Sequence, residues 1–216
     1  MNRCLLILSS LISILFEGCV CVGDTTSPSS SSRKEGTAYY GIHASCLRQA
    51  YHNEAQFTGL NLSLVNIFEN AHHHRDNGFY GMEVAGFSHT YHFSGVFVGG
   101  VHLTEDLNGA QFGVATLTFF TKGIQCAALG NVSALQLKGL QVSPLYNIAL
   151  AANENASTGG QLALVNVASA LTGFQVGLLN ISNASSTPLS EGKLLQIGIL
   201  NKTNMGLWLP LSNFGL

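Results

Sequence analysis

The side chains able to do chemistry are few, and histidine is the most concentrated of them. His72, His73 and His74 form a run, and His89, His92 and His102 follow within 30 residues. Neutral imidazole is a good ligand for zinc, nickel or copper, so the run is a candidate metal site. It would also gain charge near pH 6.5. The competing reading is an exposed polar loop, because Arg75 and Asp76 adjoin the run and strand-like segments flank it. On a strand, the spacing His89-x-x-His92 points the two rings to opposite faces.

Acid–base catalysis needs paired titratable groups. Between residues 107 and 190 the only charged residues are Lys122, Lys138 and Glu154. No Gly-x-Ser-x-Gly elbow, no phosphate-binding Walker sequence and no Cys-x-x-Cys in the body is present. The sequence therefore predicts no enzyme and calls for no cofactor.

The cysteines belong to two groups. Cys4, Cys19 and Cys21 lie in an N-terminal stretch, whereas Cys46 and Cys126 lie in the body. Cys46 and Cys126 could form one bridge in an oxidising compartment. Two separate thiols is the favoured reading, since Cys126 occupies an apolar slot of a repeat.

Residues 1–23 place Arg3 before an apolar run from Cys4 to Phe16, the layout of a signal peptide. Gly18 before Cys19 allows lipoprotein processing, with Cys19 carrying the lipid, although Phe16 and Glu17 depart from a strict lipobox. The alternative is ordinary cleavage after Gly23. Residues 24–36 (DTTSPSSSSRKEG) are Ser-rich and aperiodic, and are predicted to be a flexible tether.

Residues 37–216 are read as one domain, and its organising feature is a repeat. The unit is Gly, any residue, Gln, apolar, small, apolar, apolar, Asn. It is clearest in Gly173-Phe174-Gln175-Val176-Gly177-Leu178-Leu179-Asn180 and in Gly159-Gly160-Gln161-Leu162-Ala163-Leu164-Val165-Asn166. Gln196 to Asn201 repeats it with Leu194 in the first glycine's place. Gly109 with Gln111, Gly123 with Gln125 and Gly139 with Gln141 keep its front half, and weaker copies start at Gly59, Gly78, Gly95 and Gly206. About ten copies result, starting at residue 59. The period is 2, so each copy is predicted to be a short strand. Apolar second, fourth and sixth positions share one face; Gln and the small residue share the other. Stacked in register, Gln would lie over Gln and Asn over Asn, giving amide ladders.

A second apolar cluster between copies, such as 132–137, lets a 14-residue step hold two short strands. That suits a flattened solenoid; hairpins in a small β-barrel or meander are the alternative. Polar insertions after Asn153 and Ser182 are predicted loops. Phe119, Phe120, Tyr146, Phe174 and Trp208 are predicted to pack in the core or rim, and the segment from Trp208 to Phe214, containing Pro210, is predicted to cap the stack. Six Asn-x-Ser/Thr sequences coincide largely with the repeat's own Asn and are read as its by-product.

From about residue 57 to 216 the body resembles bacterial surface-exposed repeat proteins built from Gly-ψ-Gln-ψ-Gly-ψ-ψ-Asn units, best known from spirochaetes. Thr58 to Leu64 looks like that family's opening strand, and Leu107 to Gln111 and Lys138 to Ser143 like its connectors. Loss of glycine at Leu194 and of Gln in the copies at 78 and 95 are departures, the latter two being degenerate or part of a capping region. The resemblance implies a surface or outer-membrane β protein with a lipoprotein-like leader and no catalytic residues.

Charged residues make up 9% of the 216 residues, hydrophobic residues 46%, and the net charge is −2. An average soluble domain carries roughly 25% charge. The missing basic excess argues against nucleic-acid binding. The expectation is an all-β, solenoid-like, non-enzymatic protein secreted to the cell envelope. It would bind an unidentified surface ligand or envelope component, or build a surface layer, with membrane attachment through the N-terminal lipid. A small outer-membrane β-barrel and a His-rich metal-binding envelope protein are the alternatives.

Overall fold

The computed structural model describes residues 38–52, 56–69, 78–151, 157–183, 194–202 and 208–215. The leader, the tether, His72 to His74 and most of the two polar insertions lie outside them. The described chain is built of strands: β1 (Ala38–His52), β2 (Gln56–Glu69), β3 (Phe79–Val142), β4 (Tyr146–Ala149), β5 (Ser157–Leu162), β6 (Val165–Ser169), β7 (Leu171–Val176), β8 (Leu179–Asn183), β9 (Leu194–Lys202) and β10 (Trp208–Gly215).

These strands stack as a parallel β-solenoid. The long β3 winds through several coils without a break, and after it each coil resolves into two short strands. First strands pair β3–β5–β7–β9, and second strands pair β3–β4–β6–β8–β9, all parallel. The barrel and meander alternatives are therefore incorrect, because both need antiparallel neighbours. Only β10 runs antiparallel, along the whole of β9.

One column of glycines sets the register. Gly41, Gly59, Gly81, Gly95, Gly109, Gly123, Gly139, Gly159 and Gly173 all have positive φ, between 117° and 148°. Each sits directly on the previous one. A Cβ built at Gly173 would stand 1.8 Å from the carbonyl oxygen of Gly159. Both the backbone conformation and the close approach exclude a side chain there. Leu194 ends the column: it pairs with Gly173 but turns its side chain into the core, where it is buried.

Three assignments of the repeat shift. The copy placed at Gly78 is in register at Gly81, which pairs with Gly59. A further coil precedes residue 59, with Gly41 opposite Gly59. Both escape a Gly-x-Gln pattern because His43 and Glu83 occupy the Gln position. The copy at Gly206 is not a parallel coil, since Trp208 to Gly215 is the antiparallel cap. Pro210 has no N–H for a continued ladder, and the register slips between Pro210 and Leu211.

Inside, side chains form columns, one rung per coil. Two residues before each glycine, the column reads Phe57, Phe79, Phe93, Leu107, Thr121, Leu137, Ser157 and Leu171, all buried. Its phenylalanines stack at 5.0 and 5.2 Å between ring centres. Two residues after each glycine, it reads Asn61, Glu83, Phe97, Gln111, Gln125, Gln141, Gln161, Gln175 and Gln196, again all buried. At the opposite corner stand Asn66, Ser88, His102, Thr116, Asn131, Asn147, Asn166, Asn180 and Asn201. The core is thus aromatic near its N-terminal end and amide-rich towards its C-terminal end.

Candidate binding face

The polar groups that could have served a ligand are mostly spent on one another. Gln125 donates its amide to Gln111 at 3.1 Å, Gln141 to Gln125 at 2.9 Å, and Gln161 to Gln141 at 2.8 Å. Gln175 and Gln196 continue the series at 2.7 and 2.8 Å. In this ladder each amide gives an N–H to the glutamine of the earlier coil, and Gln141, Gln161 and Gln196 also reach a backbone carbonyl of their own coil. The asparagines run the other way: Asn131 donates to Asn147, Asn147 to Asn166, Asn166 to Asn180 and Asn180 to Asn201. Each Asn amide also reaches a backbone carbonyl of the next coil, as Asn166 does to Val176 and Asn180 to Ile197, both at 2.9 Å. The small fifth residue of the repeat leaves room for that reach. A Cβ at Gly177 would stand 2.7 Å from the Asn166 amide nitrogen.

The histidines go to separate environments. His102 is wholly buried, stacked on Phe97 at 4.2 Å, with Gln111 against its Nδ1 at 2.6 Å and Thr90 against its Nε2 at 3.1 Å. Burial, with His89 nearby acting in the same sense, holds this imidazole neutral, its pKa lowered to about 3. His89 is buried. His92 lies at the surface, 2.8 Å from Asp106. Among the described residues no three His, Cys, Asp or Glu side chains converge as metal ligands. Glu83 is buried beside Asn66, which donates to it at 2.6 Å; burial pushes its carboxyl up to about 7. Neither Glu83 nor His102 is open to a substrate.

What faces outward is apolar. At the second, fourth and sixth positions of the nine coils from Gly59 to Leu194, no residue is charged. Apart from Cys126, all are aliphatic, Phe, Met, Gly or Pro. Phe112, Val114, Ile124, Leu164, Phe174, Leu178, Ile197 and Ile199 are exposed, Ile199 by 60%. So Phe174, Tyr146 and Trp208 stand outside the core, the rings of Phe174 and Tyr146 lying over Gly160 and Gly130 at its rim; Phe119 and Phe120 are half-buried. Polar amides inside leave the alternate apolar side chains no place but the surface, because strand neighbours point to opposite faces.

A groove of about 980 Å³ runs across this face, its floor made by Gly99, Gly113 and Ala127 and its walls by residues such as Phe112 and Leu164. Cys126 lines it; its thiol is free of any disulfide, and burial pushes its pKa up. The residue before each glycine forms a polar border: Thr58, Tyr80, Ser94, Asn108, Lys122, Lys138, Thr158 and Thr172. Behind Lys122 and Lys138, a smaller recess of about 450 Å³ holds His92, Asp106, Phe120 and Gln136. Across the described residues the three apolar columns carry no charged side chain.

Sequence reasoning found both faces of the strand but not which one is buried. The usable signal was the identity of the polar residue: the same amide in every copy suits a ladder, and a ladder must be enclosed. Comparison with protein families, with characterised proteins and with solved structures gives no match to the chain.

Proposed function

We propose that this protein is a non-enzymatic surface repeat protein of the cell envelope, of the kind its Gly-x-Gln units resemble, and that it acts by binding through its apolar outer face. It would reach the envelope through its N-terminal leader and stay there through a lipid on Cys19. The observation that carries the reading is the unbroken apolar face. Soluble monomers seldom expose contiguous apolar patches beyond a few hundred Å². Three columns over nine coils, spaced ~4.8 Å along the stack and ~6.6 Å across it, exceed that. A face so large is explained by something that covers it.

The test is hydroxyl-radical footprinting of the full-length protein on intact cells, with free peptides giving the intrinsic reactivities. Met82, Phe112 and Phe174 should be protected relative to Trp208. Face residues that react as freely as Trp208 would mean that nothing covers the face, and the reading would fall.

A further inference from the structure

The recess behind Lys122 and Lys138 gathers charge in a chain that has little of it. Between residues 107 and 190 these two lysines are the only cations. Each stands one residue before a column glycine, and Gly139 lies directly on Gly123, so the two side chains leave neighbouring coils side by side. Neighbouring coils are ~4.8 Å apart. Like charges set opposite one another on adjacent strands repel. Among the described residues no carboxylate pairs with either lysine. Asp106, the one carboxylate that lines the recess, goes to His92 at 2.8 Å instead.

We propose that this recess is a binding site for a phosphate monoester, gripped between Lys122 and Lys138. The site does not depend on what covers the apolar face.

Its construction supports this first. Two columns of side chains frame the recess. One residue before the glycines stand Asn108, Lys122 and Lys138; three residues before them stand His92, Asp106, Phe120 and Gln136. Leu107, buried between the columns, closes the floor. The volume of about 450 Å³ lies within the range of small-molecule sites, so a phosphate fits there with part of the body it is attached to. Charge supports it next. A phosphate monoester brings up to two negative charges and three strong acceptor oxygens. It can therefore neutralise both lysines at once, whereas a carboxylate brings one charge and two oxygens. Lysine serves phosphate as a point charge with N–H donors on three sides. With Asp106 held by His92, the place between the ammonium groups is left to an external anion. The Asn108 side-chain amide, one coil before Lys122 in the same column, adds a neutral donor beside it.

A phosphate monoester can come as a soluble ester or as the headgroup of a lipid, and the experiment separates the two. Glycerol 3-phosphate, inorganic phosphate and acetate are titrated into the full-length protein by calorimetry at low and at high salt. In parallel, the protein is sedimented with phosphatidylcholine vesicles that do or do not contain phosphatidic acid. Both phosphates should bind, more weakly at high salt, and acetate should bind at least about tenfold more weakly than either. Lys122→Ala and Lys138→Ala should each weaken phosphate binding by about tenfold. The two together should abolish it with unchanged circular dichroism; the corresponding Gln pair serves if that variant fails to fold. Asn108→Leu leaves the charge alone and should still weaken binding by roughly fivefold. A lysine-dependent gain on phosphatidic acid vesicles marks the lipid headgroup as the source, and glycerol 3-phosphate binding without that gain marks a soluble ester; either supports the site. The proposal is overturned if no phosphate binds, if binding survives loss of both lysines, or if acetate matches phosphate. Binding that needs the lysines but ignores Asn108→Leu also overturns it, since that is attraction to a charge pair and not to a recess.

Discussion

Gln111 and His102 meet at 2.6 Å, amide nitrogen to Nδ1, and this contact joins the glutamine ladder to the aromatic end of the core. The Oε1 of Gln111 is already taken by Gln125. Its amide must therefore donate, and Nδ1 of His102 must accept. The proton then sits on Nε2, which donates to Thr90, and Thr90 donates in turn to Thr104. The direction of the ladder thus selects one neutral tautomer. A protonated ring would set an N–H against an N–H.

His102 and Glu83 give opposing pH dependences. The neutral His102 contributes stability that is full above the unfolded value near 6.5 and is lost as pH falls towards 3. Glu83, raised to about 7, contributes stability that is full below about 4.5 and is lost as pH rises through 7. Between about 4.5 and 6.5 their slopes cancel. In Glu83→Gln, stability should rise with pH across that window, relative to the parent, by about 1.4 kcal/mol per pH unit. In His102→Gln it should fall by a similar slope. Urea midpoints measured from pH 4 to 8 check this, and parallel profiles for parent and variants would refute it.

Gly173→Val should cost about 3 kcal/mol or more, combining a disfavoured φ with a clash against the Gly159 carbonyl. Thr158→Val, on the exposed border, should change stability by less than about 0.5 kcal/mol. Thermal melts of the two compare them directly. Equal melting temperatures would contradict the glycine column.

Gln141→Leu removes a rung with a neighbour on each side. It leaves Gln161 without the acceptor it uses at 2.8 Å and takes from Gln125 the donor at 2.9 Å, leaving Ser133 as its remaining donor at 3.1 Å. The expected loss is about 1–3 kcal/mol, as for one buried polar group deprived of its partner. Chemical denaturation measures it.

Removal of residues 208–216 should leave most of the fold in place and expose the edge of β9, which β10 now covers along its length. An uncovered parallel edge is a template for further strands. The truncated protein should therefore assemble into larger particles with time, seen by light scattering and thioflavin fluorescence. A truncated protein that keeps the parent's assembly state would show that β10 does not guard the edge.

Much of this architecture was legible because period 2 and stacking leave such distinct marks. Glycine at a fixed offset from Gln, with 14-residue steps, implied two short strands per coil. The hydroxyl, aromatic and acidic rungs were harder. Glu83, Phe97 and His43 stand in the Gln column, so a search for Gln passes over their coils. The orientation was hardest of all. Burial energies alone would put Phe174, Val176 and Leu178 inside, at roughly 1.5–3 kcal/mol each. They stand outside because each buried amide finds identical partners above and below, which no isolated strand could provide. The binding face was illegible for the same reason, since it exists only once the amides are known to be within.

The two ladders, one donating towards earlier coils and the other towards later ones, also bear on length. A row of aligned amides sums to a macrodipole, as an α-helix does, and the potential at its ends limits what can sit there. In this solenoid the glutamine and asparagine dipoles are opposed and largely cancel. Each added coil contributes one of each. The stack can therefore lengthen or shorten by whole coils with little electrostatic penalty, which leaves the number of coils to be decided at the ends.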